Sequence, residues 1–302
     1  MSSLVSVIIP NYNHARFLKK RLDSVFNQTF TDYEVIILDD ASTDGSAEII
    51  RQYENHPKVS QIVINTVNSG SPFKQWKKGF ELARGKYIWI AESDDYCENT
   101  FLENVMNAFA NEQVVLSYCQ SKIVDENGRI ISENNLAWTD DLDDRRWRSS
   151  YTNSGTDECK KYFYVKDIIP NTSAAVFKKE AAHKIDWDLD RFSITGDWMF
   201  WIKILQHGDI SYIPQTLNCF RESTASTRVR NTRAKKLRRI KEELWILDFY
   251  KETKIISDQD YGKRVSIQIQ KTKKIIPYRL YKLKKEDFKE YFAIFKYLKL
   301  TI

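Results

Sequence analysis

Short apolar runs without a helical period recur along the first hundred residues: Leu4 to Ile9, Tyr33 to Leu38, Val59 to Asn65, and Lys86 to Ala91. Runs of this length, rich in Val, Ile and aromatic residues, predict strands buried on both faces. The segments between them change period. Phe17, Leu18, Leu22, Val25 and Phe26 fall at helical spacing and predict a helix from about Arg16 to Asn27. The turn-forming stretch Asp39 to Gly45 opens a second helix to about Tyr53, and Phe73 to Arg84 reads as a third, closed by Gly85 at a C-cap position. Pro10 is expected to stop the first strand. Strands and helices alternating at these lengths imply parallel strands joined by right-handed crossovers in a doubly wound sheet.

The second part of the chain is less regular. Phe101 to Ala110 predicts a helix, Val114 to Tyr118 a strand, and Ser121 to Ser132 a hairpin about Asn127-Gly128. Residues 133–160 are polar and read as an irregular loop. Strand character resumes at Asn171 to Phe177, and Thr195-Gly196-Asp197-Trp198 precedes an apolar helical stretch, Met199 to Leu205.

Composition adds a boundary. The 302 residues are 42% hydrophobic and 29% charged, as in globular proteins, and the net charge is +6. Lys and Arg are concentrated in residues 228–302, which leaves residues 1–227 net acidic. We therefore divide the chain into a body, 1–227, and a basic helical segment, 228–302, which faces an anionic partner or is simply a solvated appendage. Its apolar positions (Leu237, Ile240, Leu244 and Leu247, then Phe288, Tyr291, Phe292 and Phe295) suit interfacial membrane contact, a second subunit, or packing on the body. No apolar run approaches the length of a membrane span. The N-terminus lacks the order of a signal peptide, so a cytoplasmic protein is expected. Cys97, Cys119, Cys159 and Cys219 are scattered without metal-ligand spacing.

The candidate chemistry lies at the strand ends. In doubly wound sheets ligands bind outside the carboxyl ends of the strands, and three polar loops fall there: Pro10 to His14, Asp39 to Asp44, and Glu92 to Asp95. Carboxylates gathered at one edge repel unless a cation separates them, and a hard divalent metal takes oxygen ligands. A helix cap or a polar turn accounts for any one loop alone. No glycine-rich phosphate loop of either common type is present, which disfavours a dinucleotide oxidoreductase or a P-loop enzyme.

Val-Ser-Val-Ile-Ile-Pro-Asn-Tyr-Asn (5–13), Glu-Val-Ile-Ile-Leu-Asp-Asp-Ala-Ser-Thr-Asp-Gly-Ser (34–46) and Ala-Arg-Gly-Lys-Tyr-Ile-Trp-Ile-Ala-Glu-Ser-Asp-Asp (83–95) together resemble the inverting, GT-A type glycosyltransferases of family 2 over roughly residues 4–225. The resemblance implies a GT-A fold with a nucleotide-sugar-binding half, 1–120, and an acceptor half, 121–227. It places Pro10 and Tyr12 at the nucleotide base, Asp40 as the carboxylate accepting from a uracil-like ring, and Asp94 and Asp95 on the metal-binding acidic motif. Asp95 is then the direct ligand of Mg or Mn, and Asp94 lies nearer the ribose and phosphates. Where many relatives read Asp-x-Asp-Asp, this chain has Glu92-Ser93-Asp94-Asp95, and the role of Glu92 is open. Asp197 stands where the family carries its catalytic acid, often written Glu-Asp; here the first member is Gly196.

The implied activity is metal-dependent inverting transfer from a nucleotide-diphosphate sugar, a UDP-sugar first, to a hydroxyl of a glycan or lipid-linked acceptor in cell-surface polysaccharide synthesis. Residues 133–160 would form an acceptor-side flap. Asp39 and Asp44 are expected to serve turns and caps, Arg221 and Arg228 to contact diphosphate or sit solvated on the surface, and the four histidines to be structural. A metal-dependent nucleotidyltransferase is the rival enzyme, and a non-catalytic nucleic-acid- or sugar-binding protein the rival from another class.

Overall fold

The structure, a computed structural model, describes residues 3–222, 232–275, 287 and 290–295. In chain order the elements are β1 (Val5–Asn11), α1 (Ala15–Phe26), β2 (Tyr33–Asp39), α2 (Ser46–Arg51), β3 (Val59–Ile64), α3 (Pro72–Leu82), β4 (Tyr87–Ile90), β5 (Tyr96–Cys97) and α4 (Phe101–Met106). There follow β6 (Val114–Val124), β7 (Ile130–Ser132), β8 (Tyr151–Ser154), α5 (Gly155–Glu158), β9 (Ala175–Lys178), α6 (Lys179–His183), α7 (Gly196–Ile204), β10 (Asp209–Arg221), α8 (Arg233–Glu252) and α9 (Asp258–Ile275).

One mixed sheet runs in the order β3-β2-β1-β4-β9-β6-β10-β5, with β7 paired to β6 and β8 to β10. Strands β3, β2, β1 and β4 are parallel; β9 runs against both β4 and β6, and β10 lies parallel to β6. The carboxyl ends of β1, β2, β4, β6 and β10 therefore share one edge. This is the doubly wound, mostly parallel sheet the sequence pattern implies.

Alternate residues of each central strand enter opposite cores. Ile8, Ile36, Leu38, Ile88 and Ile90 pack with α3 and α7 on one face. Val7, Ile9, Val35, Ile37 and Trp89 pack with α1 and α4 on the other. Apolar runs without a period are what burial on both faces demands.

Several local expectations are corrected. Pro10 does not end β1, which continues to Asn11 in register with Leu38 and Asp39. The β4 side of the ladder stops at Ile8 opposite Ile90, with the Ile8 carbonyl accepting from Ala91 N. Backbone groups two residues apart face the same neighbour, so the N–H that Pro10 lacks points where no partner strand remains. Gly85 is not a C-cap; the cap of α3 is Ala83. A Cβ on Gly85 would meet Ser6 N at 2.6 Å and Val5 C at 2.8 Å, so the residue is glycine because β1 passes against it. Strand β6 runs six residues beyond its expected end at Tyr118, through Gln120, Ser121 and Lys122.

Residues 133–160 are packed rather than irregular. Two 3₁₀ turns, β8 and α5 lie within them. Trp147 is buried and donates from Nε1 to Tyr118 Oη at 2.7 Å, and β8 pairs with β10. The basic segment also docks. Ile246, Tyr250 and Ile255 join the core that holds α3 and α7, and Tyr250 donates to the Cys159 carbonyl. On the other flank of α8, Leu237, Ile240 and Leu244 pack with Tyr261 and Val265 of α9 and with Ile294. Arg228 and Phe288 lie outside the described residues. All four cysteines are free and buried. No helix among the described residues is long and apolar enough to cross a membrane.

Candidate active site

The first two edge loops are locked to each other. Asn11 Nδ2 donates to Asp39 Oδ1 at 2.8 Å and to Ser42 Oγ at 3.2 Å, while Asp39 Oδ2 accepts from Ser42 N. Asp44 accepts from Ala15 N at the start of α1 and from Ser46 at the start of α2. Asp39 and Asp44 thus do the turn and cap duty expected of them. Pro10 is buried beneath this knot, whereas Tyr12 is 47% exposed at its rim. Asp40 is buried and holds the next loop, its Oδ1 accepting from Asn65, the Ser69 amide and Gln75. Its Oδ2 takes the Ser69 hydroxyl at 2.7 Å.

The acid loop after β4 joins the same edge, with His14 Nδ1 3.0 Å from Ser93 Oγ. Glu92 turns inward. Its Oε1 accepts from Trp76 Nε1 of α3 at 2.8 Å, and its amide donates to Ser173 Oγ. Burial of the carboxyl, reinforced by the charge of Asp94, pushes its pKa up to about 8. The longer Glu is what reaches the indole, which gives this departure from the family motif a structural role. Asp95 is 3% exposed and takes Arg221 N on Oδ1 and Asn171 Nδ2 on Oδ2. Burial and the Asp94 charge raise it to about 6. Asp94, like Glu92, keeps partial exposure.

Two arginines brace this loop, and neither was singled out for that role. Arg21 is fully buried on α1, donates from Nε to the Glu92 carbonyl at 2.8 Å, and lowers the pKa of both Glu92 and Asp95 in part. A charge on the apolar stripe between Leu18 and Leu22 was its signal in the sequence. Arg221 is 3% exposed and neither solvated nor open to diphosphate. Its guanidinium donates to the carbonyls of Asp94 (2.7 Å), Asp125 (2.8 Å) and Glu126 (3.1 Å) over the Phe17 ring. It ties the acid loop to the β6–β7 hairpin.

Asp197 lies on a helix, α7, that packs against α3. It lies in the first turn of α7, whose N-cap is Thr195, and its Oδ1 accepts from Trp198 N at 2.9 Å. Trp76 connects the two acidic regions: its indole donates to Glu92, and its ring packs edge-on against Phe200 of α7, 5.8 Å between centroids. Gly196 explains the missing first member of the family's acidic pair. A Cβ there would lie 2.4 Å from the ring of Phe73, so a glutamate has no room. Trp198 and Trp201 are buried core.

The pattern of glycosyl transferase family 2 matches residues 6–185, more than half of the sequence. The chain belongs to that family. Over 94 residues it is 40% identical to a poly(ribitol-phosphate) beta-glucosyltransferase of Bacillus spizizenii, a match that covers 30% of this chain and 15% of that enzyme. The chain thus spans a small part of that relative's length. Among solved structures, Staphylococcus aureus TarS 1–349 in complex with UDP-GlcNAc superposes with a TM-score of 0.64 at 18% identity, covering 99% of this chain and 81% of that one. A mannosyltransferase of Pyrobaculum calidifontis in complex with GDP-Man and Mn2+ gives 0.58 at 17% identity, over 99% and 75%. These likenesses establish the GT-A fold. Family membership is what the glycosyltransferase reading rests on.

Carboxylate oxygens at a strand edge are hard donors of the kind that Mg2+ or Mn2+ takes. Among the described residues no group of three or more His, Cys, Asp or Glu side chains is arranged to hold a cation. Mg2+ is commonly held by one or two carboxylates together with substrate phosphates.

Proposed function

We propose that the protein transfers a sugar from a UDP-sugar to a hydroxyl of a cell-surface glycan or a lipid-linked acceptor, with inversion at the anomeric carbon. What supports this reading is family membership together with α3, whose Trp76 donates to Glu92 of the acid loop while Phe73 and Trp76 pack against α7, the helix whose first turn holds Asp197. The UDP-GlcNAc complex of TarS supports a UDP-sugar donor, and the Mn2+ complex of the mannosyltransferase supports a divalent ion.

Tyr12, with its exposed ring, and Pro10 beneath it receive the base, and Asp40 accepts from the uracil through Oδ2, the less occupied of its oxygens. Asp94, partly exposed, would hold the divalent ion, with Asp95, whose oxygens already accept from Asn171 and Arg221, in support. This reverses the order that the motif implies. A divalent ion bound there supplies Lewis-acid stabilisation of charge on the departing diphosphate. Asp197, in the first turn of α7, accepts the proton of the acceptor hydroxyl. The acceptor oxygen bonds to the anomeric carbon as the carbon–oxygen bond to UDP breaks on the opposite face.

A thermal-shift panel of UDP, UDP-GlcNAc, UDP-glucose and GDP-mannose with and without Mn2+ tests donor and metal together. Saturation at 100 times Kd stabilises a protein by about 2.7 kcal/mol. The expected result is a rise for the uridine ligands with Mn2+ only, lost in Asp94→Ala. A shift for GDP-mannose alone, or one unchanged by EDTA and by Asp94→Ala, would overturn the reading.

A further inference from the structure

Helix α8 belongs to the basic C-terminal segment, yet one of its acids is wholly enclosed. Glu242 is 0% exposed. Its Oε1 accepts from the amide and the hydroxyl of Ser193, both at 2.9 Å. Its Oε2 accepts from the amides of Ile194 and Thr195, both at 2.9 Å, and from the Thr195 hydroxyl at 3.1 Å. Five donors from three consecutive residues close on one carboxylate. Thr195 is the N-cap of α7, and Asp197 follows two residues later.

The carboxylate is itself fixed. Arg238, one turn earlier on α8, donates from Nε to Glu242 Oε1 at 2.8 Å and from Nη2 to the Arg191 carbonyl at 2.7 Å. One turn and two turns later, Ile246 and Tyr250 sit in the core that also holds α7. Bonds to a buried charge are about twice as strong as neutral ones and directional, so this arrangement sets the path by which the chain enters α7. An acid serving only to fasten α8 would gain as much from donors anywhere on the body. Here all of its donors on the body adjoin the base.

We propose that Glu242 is a positioning residue for sugar transfer, acting through Ser193–Thr195 to place the Asp197 carboxylate. The basic segment is then a working part of the transferase site. The inference rests on the reading of Asp197 as base, and the test separates the two.

Glu242→Gln keeps the shape but turns an amide toward the Ile194 and Thr195 donors. In the full chain, three quantities are measured: UDP release from the UDP-sugars of the panel with Mn2+, the Kd for UDP with Mn2+, and amide hydrogen exchange. A misplacement near 1 Å predicts a fall in kcat of about 100-fold, with the Kd for UDP held within about twofold. Exchange quickens at residues 193–199 and stays unchanged at 91–96. Because Glu242 acts through Asp197, the Glu242→Gln/Asp197→Asn double variant is no slower than Asp197→Asn alone, a coupling that a purely structural role would not produce. Arg238→Gln, a milder change, lowers kcat in the same direction and serves if Glu242→Gln does not fold.

Full turnover in Glu242→Gln beside an inactive Asp197→Asn overturns the positioning role and leaves the base in place. Full turnover in Asp197→Asn overturns both. Faster exchange along α8 with 193–199 unchanged, or equal losses of UDP affinity and turnover, shows a general anchor and also overturns the inference.

Discussion

Gly196→Ala tests the packing that sets α7 against α3. The added Cβ would lie 2.4, 2.5 and 2.9 Å from three atoms of the Phe73 ring, whereas carbons pack at about 3.5–4.0 Å, so ring or helix must retreat by roughly 1 Å. Phe73 is 6% exposed and stands edge-on to Trp76 at 5.0 Å, so it has little room to yield. Overpacking of this kind costs about 1–3 kcal/mol, and the better helix propensity of alanine returns less than about 1 kcal/mol at a first-turn position. The net loss is about 1–2 kcal/mol, a fall in Tm of about 2–4 °C for a protein of this size. Displacement also reaches Asp197 next door, so kcat should fall at least about tenfold while UDP affinity with Mn2+ holds. Thermal unfolding and UDP-release kinetics on one preparation give both numbers. A variant as stable and as active as the parent would refute the argument that Phe73 demands glycine here.

The same contact predicts that Gly196→Glu, which restores the acidic pair common in relatives, abolishes turnover instead of improving it; kinetics decide. Gly85→Ala places a methyl against the backbone of β1, which cannot turn aside, and should cost about 3 kcal/mol, read as a lowered urea midpoint. Arg221→Ala removes a donor from three carbonyls, of which that of Asp125 keeps the Gly128 amide, and should cost about 2–3 kcal/mol. It should also weaken Mn2+-dependent UDP binding by calorimetry, and Arg221→Lys should not restore it, because one ammonium cannot span the fork.

The parallel half of the sheet was legible because residues such as Val35, Ile36, Ile37 and Leu38 enter two cores in alternation, leaving an apolar run that no amphipathic helix produces. The acidic loops were legible for the same reason: a strand's carboxyl end fixes where its loop must lie. What the sequence hid depends on contacts distant along the chain. Strand β6 looked finished at Tyr118 because Gln120 and Ser121 are polar, yet both are buried where β6 meets β10. Residues 133–160 looked loose because the pairing of Tyr151–Ser154 with Asp209–Tyr212 and the hydrogen bond from Trp147 to Tyr118 leave no local period. Glu242 is one acid among many charges on α8, and only the approach of Ser193–Thr195, 47 to 49 residues earlier, distinguishes it.

The central claim, that Asp197 deprotonates the acceptor while separate residues hold nucleotide and metal, is tested most directly by Asp197→Asn. The side chain keeps its shape and loses its basicity. UDP release from a UDP-sugar with Mn2+ should fall by at least about 100-fold, and the Kd for UDP with Mn2+ should stay within about twofold of the parent. Turnover equal to that of the parent would contradict the account.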